Sequence, residues 1–352
     1  MTTTTQPPWL SKSQSASHRK YIQRILQQRE NTRTAVRSLH LKGLDPPRDL
    51  PRQFFDYYSI AISCAPDNTK QNRYSDIQPY DRTRVTVEAK ERYLNASWCL
   101  EQFGRKWWIA SQAPLPHTAH TFLSLIRQPI TLPTTQSIPP RPTRVRTVVQ
   151  LTLLVEGGRR KAHSYFPTVV GRSVVHSEAG YAGPALKATL LESVDIATAS
   201  CTKSTISISL VGDERNAVTF HHLLYTAWPD HGVPKPEDQA TLLAFIRLAD
   251  TVNRQASEDP DPPIIVGCSA GVGRTGTFIA ISSLLRAHGF LPAANSPSVL
   301  ALSSPLGPLP TTLDDDLIGQ EVDSLREQRP GMVQRDAQLE LIYSLLESAF
   351  VQ

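Results

Sequence analysis

The sequence predicts a mixed fold of α+β, α/β-type character, and three observations predict it. Short apolar or alternating runs rich in β-branched residues, such as 145–154 and 204–211, have strand character. Longer runs at 238–256, 275–288 and 338–350 carry apolar residues at helical spacing. The stretch Ile264 to Phe278, IIVGCSAGVGRTGTF, reads as a buried strand, a glycine-containing loop and a helix in direct succession.

Taken in order, residues 1–18 are rich in Thr, Ser and Pro and are expected to be disordered. From Lys20 to Leu41 sparse apolar residues predict a helix that docks through one stripe. PRQFFDYYSIAISCA (51–65) reads as a second helical piece. RVTV (84–87) and WWIAS (107–111) have strand composition. VRTVVQLTLL (145–154) suits a central strand, STISISLV (204–211) alternates with period two, and AVTFHHLLYTAW (217–228) is a strand running into a loop. Residues 129–144 and 289–313 are Pro- and Ser-rich without periodicity and read as surface inserts. The organisation expected is an N-terminal extension over 1–49, partly disordered with a helix at 20–41, followed by one domain over 50–352.

The 352 residues are enough for a sizeable core, and length alone allows about two domains. The net charge of +5 is mild, which suits an anionic substrate and lacks the concentrated charge of a nucleic-acid binder. No apolar run is long enough to span a membrane, and the N-terminal residues lack the apolar core of a secretory signal. The four cysteines, at 64, 99, 201 and 268, have neither zinc nor redox spacing. The expectation is a reduced protein, cytoplasmic, with access to the nucleus left open.

The chemistry concentrates in CSAGVGR. A cysteine at a strand end, followed by a curled loop and a helix N-terminus, meets converging N–H groups and a positive dipole end. Gly271 and Gly273 allow the close approach that such a nest requires. Arg274 offers a planar fork to two phosphate oxygens. The same field favours the thiolate of Cys268. Ser269 and Thr275 are hydroxyls beside the sulfur, and one of them can stabilise it when it leaves. Spacing alone is a weak signal, because Cys99 and Arg105 share it in CLEQFGR, where a single glycine, a phenylalanine and an acidic residue argue against a nest.

CSAGVGRTGTF resembles the signature of the cysteine-dependent protein tyrosine phosphatases of non-receptor type. NRYSDIQPYDRTRV (72–85), YLNASW (93–98), WWIASQAPLPHTAHTFLSLI (107–126), VVQLTLLVEGGRRKAHSYFP (148–167), WPDHGVP (228–234) and QRPGMVQRDAQ (328–338) resemble further motifs of that family in the same order. Three features depart from it: Gly267 where histidine is usual, Ala113 where glycine is usual, and the long inserts.

The resemblance implies a single phosphatase domain with a highly twisted mixed central sheet flanked by helices. It implies Cys268 as nucleophile, Arg274 as phosphate clamp, Asp230 as general acid and base, and Gln334 orienting water, with Thr275 beside the thiolate. The loop residues Ser269, Ala270, Gly271, Val272 and Gly273 would hold the phosphate. Tyr74 would wall a deep pocket, Asp76 would accept peptide N–H groups, and Gln338 would assist. Glu156 and Lys161 would pair with Arg274 and with the acid loop, while Arg82, Arg84 and Asn95 would be structural. The expected function is hydrolysis of phosphotyrosine in proteins. Two alternatives stand beside it: a pseudophosphatase that binds phosphotyrosine with little turnover, and a dual-specificity phosphatase. The expected partners are phosphotyrosine-containing proteins, with no nucleic acid, membrane, metal or cofactor; oligomeric state is not encoded legibly. His221, His222 and His231 read as strand and loop residues.

Overall fold

The computed structural model describes residues 7–88, 92–133, 142–230, 232–255, 259–295 and 304–351. The chain opens with helices α1 (Pro8–Lys12), α2 (Ala16–Leu41), α3 (Arg52–Tyr57), α4 (Ala61–Cys64) and α5 (Pro66–Thr69). Strands β1 (Ala96–Leu100) and β2 (Trp107–Gln112), helix α6 (Ala119–Arg127) and strand β3 (Thr147–Gln150) follow. A small hairpin, β4 (Val155–Glu156) and β5 (Arg159–Arg160), precedes β6 (Ser173–His176), β7 (Leu186–Ile196), β8 (Cys201–Leu210) and β9 (Asp213–Tyr225). The chain ends with α7 (Gln239–Arg254), β10 (Ile264–Cys268), α8 (Gly273–Ala287), α9 (Leu317–Gln328) and α10 (Asp336–Val351).

Among the described residues the main sheet has eight strands in the order β1-β2-β10-β3-β9-β8-β7-β6. The four central strands, β2, β10, β3 and β9, run parallel, and the outer pairs are antiparallel. Parallel strands covered on both faces read as continuous apolar runs, which is why IIV and TVV stand at the centre. One core gathers α7, α8, α9 and α10; a second packs α6 against the other face. Cys268 sits at the carboxyl end of a central parallel strand, where ligand crevices of such sheets form.

Several elements differ from expectation. Residues 8–12 and 16–18 are helical where disorder was expected, because Leu10 is fully buried against the main core and Ser15 caps α2 by accepting from His18 N at 3.2 Å. RVTV forms only isolated bridges, Arg84 to Ser97 and Val87 to Arg92; Val85 and Val87 are buried, but Glu88 turns the chain at φ 49°. The run 145–154 keeps only four residues in strand. Beyond them Leu151 donates to the Gly267 carbonyl at 2.8 Å and the chain leaves for the small hairpin. Helix α9 escaped the reading because its buried face carries Glu321, Asp323 and Glu327 among apolar residues. The described end of the 289–313 insert is anchored: Arg29 donates to the Gly307 carbonyl at 2.8 Å and Leu313 is fully buried.

Helix α2 also docks differently from a simple apolar stripe. Ile22 and Leu26 enter the main core, and beside them Arg33 is completely buried. Its guanidinium donates to Asp323 Oδ1 at 2.6 Å and to Glu327 Oε1 at 2.6 Å and 3.0 Å. Arg33→Ala should lower stability by about 3 kcal/mol, since it removes the cation shared by two buried carboxylates and leaves Asp323 to Arg29 and Glu327 to the hydroxyls of Tyr58 and Ser304. Urea unfolding checks this; a midpoint equal to that of the parent would refute it.

Candidate active site

The site assembles around the loop from Gly267 to Arg274. Its carbonyls are all turned outward and bonded. Gly267 O accepts from Leu151 N at 2.8 Å, and the Cys268 and Ser269 carbonyls both accept from Ala113 N at 3.1 Å. Arg329, fully buried, donates to Gly271 O at 2.7 Å and to Ala270 O at 3.0 Å. Val272 O accepts from Gly276 N at 2.8 Å. Carbonyls held outside leave the intervening N–H groups facing the centre, which is the concave anion nest the glycines permit. Arg329 is itself fixed by Asn95 Oδ1 at 2.8 Å and Ser97 Oγ at 3.1 Å. Ala113 serves in place of glycine because its backbone needs no positive φ.

Cys268 is buried at the floor of this nest. Burial pushes its thiol up, but the Thr275 hydroxyl, the Arg274 charge and the N–H groups of Thr275 and Val272 outweigh it. The net result lies below the ordinary thiol value. Cys99, with the same spacing to an arginine, lies inside β1, and burial pushes it up to about 12. Of the two hydroxyls beside Cys268, that of Thr275 lowers the thiol. Ser269 Oγ donates to Lys161 O at 2.7 Å and lies 2.8 Å from Tyr74 Oη, so its proton is spent elsewhere. That bond also fixes Tyr74, half-exposed, as a wall of the cleft.

Arg274 is gripped from behind. Its two terminal nitrogens donate to Glu156 Oε1 at 2.7 Å and Oε2 at 2.8 Å, and one of them also donates to Leu151 O at 2.9 Å. Burial raises the Glu156 carboxyl, yet the Arg274 fork, the Thr152 hydroxyl and Leu153 N–H bring it below the ordinary carboxylate value. Arg274 further donates to Pro229 O at 3.1 Å and Asp230 O at 3.4 Å, so the clamp also holds the loop that carries Asp230. Lys161 Nζ stands 3.6 Å from Asp230 Oδ1. Gly157, at φ +52°, leaves room for that carboxylate: a Cβ there would meet Asp230 Oδ2 at 2.1 Å.

Cys268, Arg274, Asp230, Gln334, Gln338, Tyr74 and Asp76 all line one cavity of about 250 Å³, together with Ser269, Ala270, Val272 and Gly273. Gly271 is not on that wall; it packs against β2, where a Cβ would meet Ser111 O at 2.3 Å. Thr275 stands behind the sulfur. Gln334 follows Val333, a buried β-branched residue at φ +53°, a strained backbone that aims the next side chain into the cleft. Gln338 is buried against Gly273. His221 and His222 lie on β9, and burial pushes His222 down to about 4, so it is neutral; His231 lies outside the described residues. Sequence reading missed Arg329, although the segment containing it was singled out, because nothing local marks an arginine that binds a loop some 58 residues away.

Gly267 turns out to be enforced. An ideal Cβ on it would stand 2.7 Å from the Ser111 carbonyl oxygen of β2. Histidine, usual here in the resembled family, would have to displace that carbonyl before its ring could reach the thiol. Behind the strand end lies a cavity of about 20 Å³, lined by Gly267, Gln150, Phe122 and Tyr165 among others, with space for about one water. Tyr165 Oη, buried, has no hydrogen-bond partner among the described residues. Gly267→Ala and, more so, Gly267→His should therefore lower thermal stability, by about 1–3 kcal/mol for alanine, without improving the thiolate. In the parent, iodoacetate inactivation should persist to pH values below the free-thiol pKa of about 8.5. A parent profile centred on about 8.5, or a stable histidine variant with a lower one, would contradict this reading.

The protein-tyrosine phosphatase family profile matches residues 68–289. The chain is 31% identical over 299 residues to human tyrosine-protein phosphatase non-receptor type 14, which covers 82% of the chain and 21% of that protein. It is 30% identical over 311 residues to human tyrosine-protein phosphatase non-receptor type 4, with 83% and 27% covered. It is 31% identical over 310 residues to human receptor-type tyrosine-protein phosphatase H, with 82% and 22% covered. The chain thus spans about a fifth to a quarter of the length of these relatives. Among the described residues no helix is long and apolar enough to cross a membrane.

Proposed function

The chain belongs to the protein-tyrosine phosphatase family, and from that membership we propose that it hydrolyses phosphotyrosine in proteins through a cysteinyl-phosphate intermediate. The observation that carries this is the convergence of Cys268, Arg274, Asp230 and Gln334 on one cavity. The Cys268 thiolate attacks phosphorus, the S–P bond forms and the P–O bond to the tyrosyl ring breaks. Asp230 gives its proton to the departing phenolate. Arg274 and the loop N–H groups hold the equatorial oxygens, where charge is greatest in the transition state. Water, oriented by Gln334, then attacks the phosphocysteine. Asp230 takes its proton, and inorganic phosphate and the thiolate are released.

Tyr74 supports a preference for phosphotyrosine over phosphoserine, since its wall sets a reach that a short side chain does not span. The test compares phosphate release from phosphotyrosyl and phosphoseryl peptides of one sequence. Release from the first alone is expected. Equal release from both supports a dual-specificity enzyme, and tight binding of the first without release supports a pseudophosphatase; either overturns the proposal.

A further inference from the structure

The mouth of the cleft carries charge that the chemistry does not use. Among the cavity-lining residues Arg274 is committed to Glu156, and Lys161 faces Asp230. Two charged lining residues remain, Asp76 and Arg335. Both are exposed, and neither side chain has a hydrogen-bond or ion-pair partner among the described residues.

Arg335 is held by its backbone rather than its side chain. It follows Gln334 directly and immediately precedes α10. Its N–H donates to Gln338 Oε1 at 3.2 Å, and its carbonyl accepts from Gln338 N at 2.9 Å and Leu339 N at 3.2 Å. The backbone is thus fixed beside the cavity while the guanidinium stays uncommitted at the rim. A phosphotyrosine seated with its phosphate at Arg274 brings the neighbouring residues of its peptide to this rim. A carboxylate there meets a planar five-donor cation at Arg335 and a like charge at Asp76.

We propose that Arg335 is a specificity-determining residue, selecting phosphotyrosyl peptides that carry an acidic side chain within reach of the rim. The proposal rests on the phosphatase reading and adds a substrate class to it. A solvent-exposed pair of this kind changes kcat/KM by about 2–5-fold. Asp76 limits the preference to the Arg335 side of the cleft.

The experiment measures kcat/KM for a phosphotyrosyl host peptide of otherwise neutral residues, with Glu placed in turn at each of the three positions on either side. Each rate is divided by that of the all-neutral host for the same enzyme, so basal activity cancels. The parent should favour Glu over the host by about 2–5-fold at one position or more. Arg335→Ala should bring that ratio to one, and Arg335→Glu should invert it. A parent indifferent to Glu everywhere, or a preference that survives in both variants, overturns the proposal. Failure of the phosphatase reading has a different signature: neither p-nitrophenyl phosphate nor any peptide is turned over. In that case the same peptide ratios are read as affinities by titration calorimetry, with the same two deciding outcomes.

Discussion

Cys268→Ser is expected to abolish phosphotyrosine hydrolysis in a chain that still folds. The substitution exchanges one small buried atom for another and keeps every backbone bond of the loop. What changes is ionisation. Burial opposes a charge at this position, and the Thr275 hydroxyl, Arg274 and two N–H groups overcome it for a thiol. A hydroxyl starts many units higher, and the same field cannot ionise it near neutral pH. Loss of at least about a thousandfold in phosphate release is expected, since the whole nucleophilic step goes with the thiolate. The thermal unfolding midpoint should stay close to that of the parent. Residual turnover above that level, in a preparation free of parent enzyme, would point to another nucleophile.

Asp230→Ala should slow hydrolysis of phosphotyrosyl peptides by about 10²–10⁴-fold, the range of general acid catalysis. Binding should survive, because Arg274 holds the loop through the carbonyls of Pro229 and Asp230, which alanine retains. The loss should be smaller for p-nitrophenyl phosphate, whose leaving group needs less protonation. Rates for both substrates check this; equal peptide rates for mutant and parent would remove Asp230 from the mechanism.

The sequence exposes the parts of this site whose causes are local. Strand, nest and helix follow one another along the chain, so Cys268, Arg274 and the glycines between them are legible together. The sheet is legible at its centre, where IIV and TVV declare burial on both faces, and less so at β7. There alternation holds only as far as Leu190, and the residues beyond it are mostly exposed. What depends on distant partners is not legible. Ser269 looks like a thiolate donor until Lys161 and Tyr74 claim its hydroxyl. Arg329 looks like any arginine until Asn95 and the loop carbonyls surround it. Helix α9 hides because two of its buried carboxylates, Asp323 and Glu327, answer the arginines of α2, a pairing that spans some 290 residues, while Glu321 answers Ser283 and the N–H groups of Gln102 and Phe103.

The Ser111 carbonyl has a bearing on descent as well as on packing. One oxygen on β2 faces the Cα atoms of both Gly267 and Gly271, and it admits a side chain at neither. A change at position 267 alone therefore meets a penalty whatever benefit the new residue offers the thiol. A lineage carrying this arrangement acquires a side chain there only together with a shift of β2, a step that is of no use while glycine remains. The glycine is entrenched: its neighbours act as a ratchet.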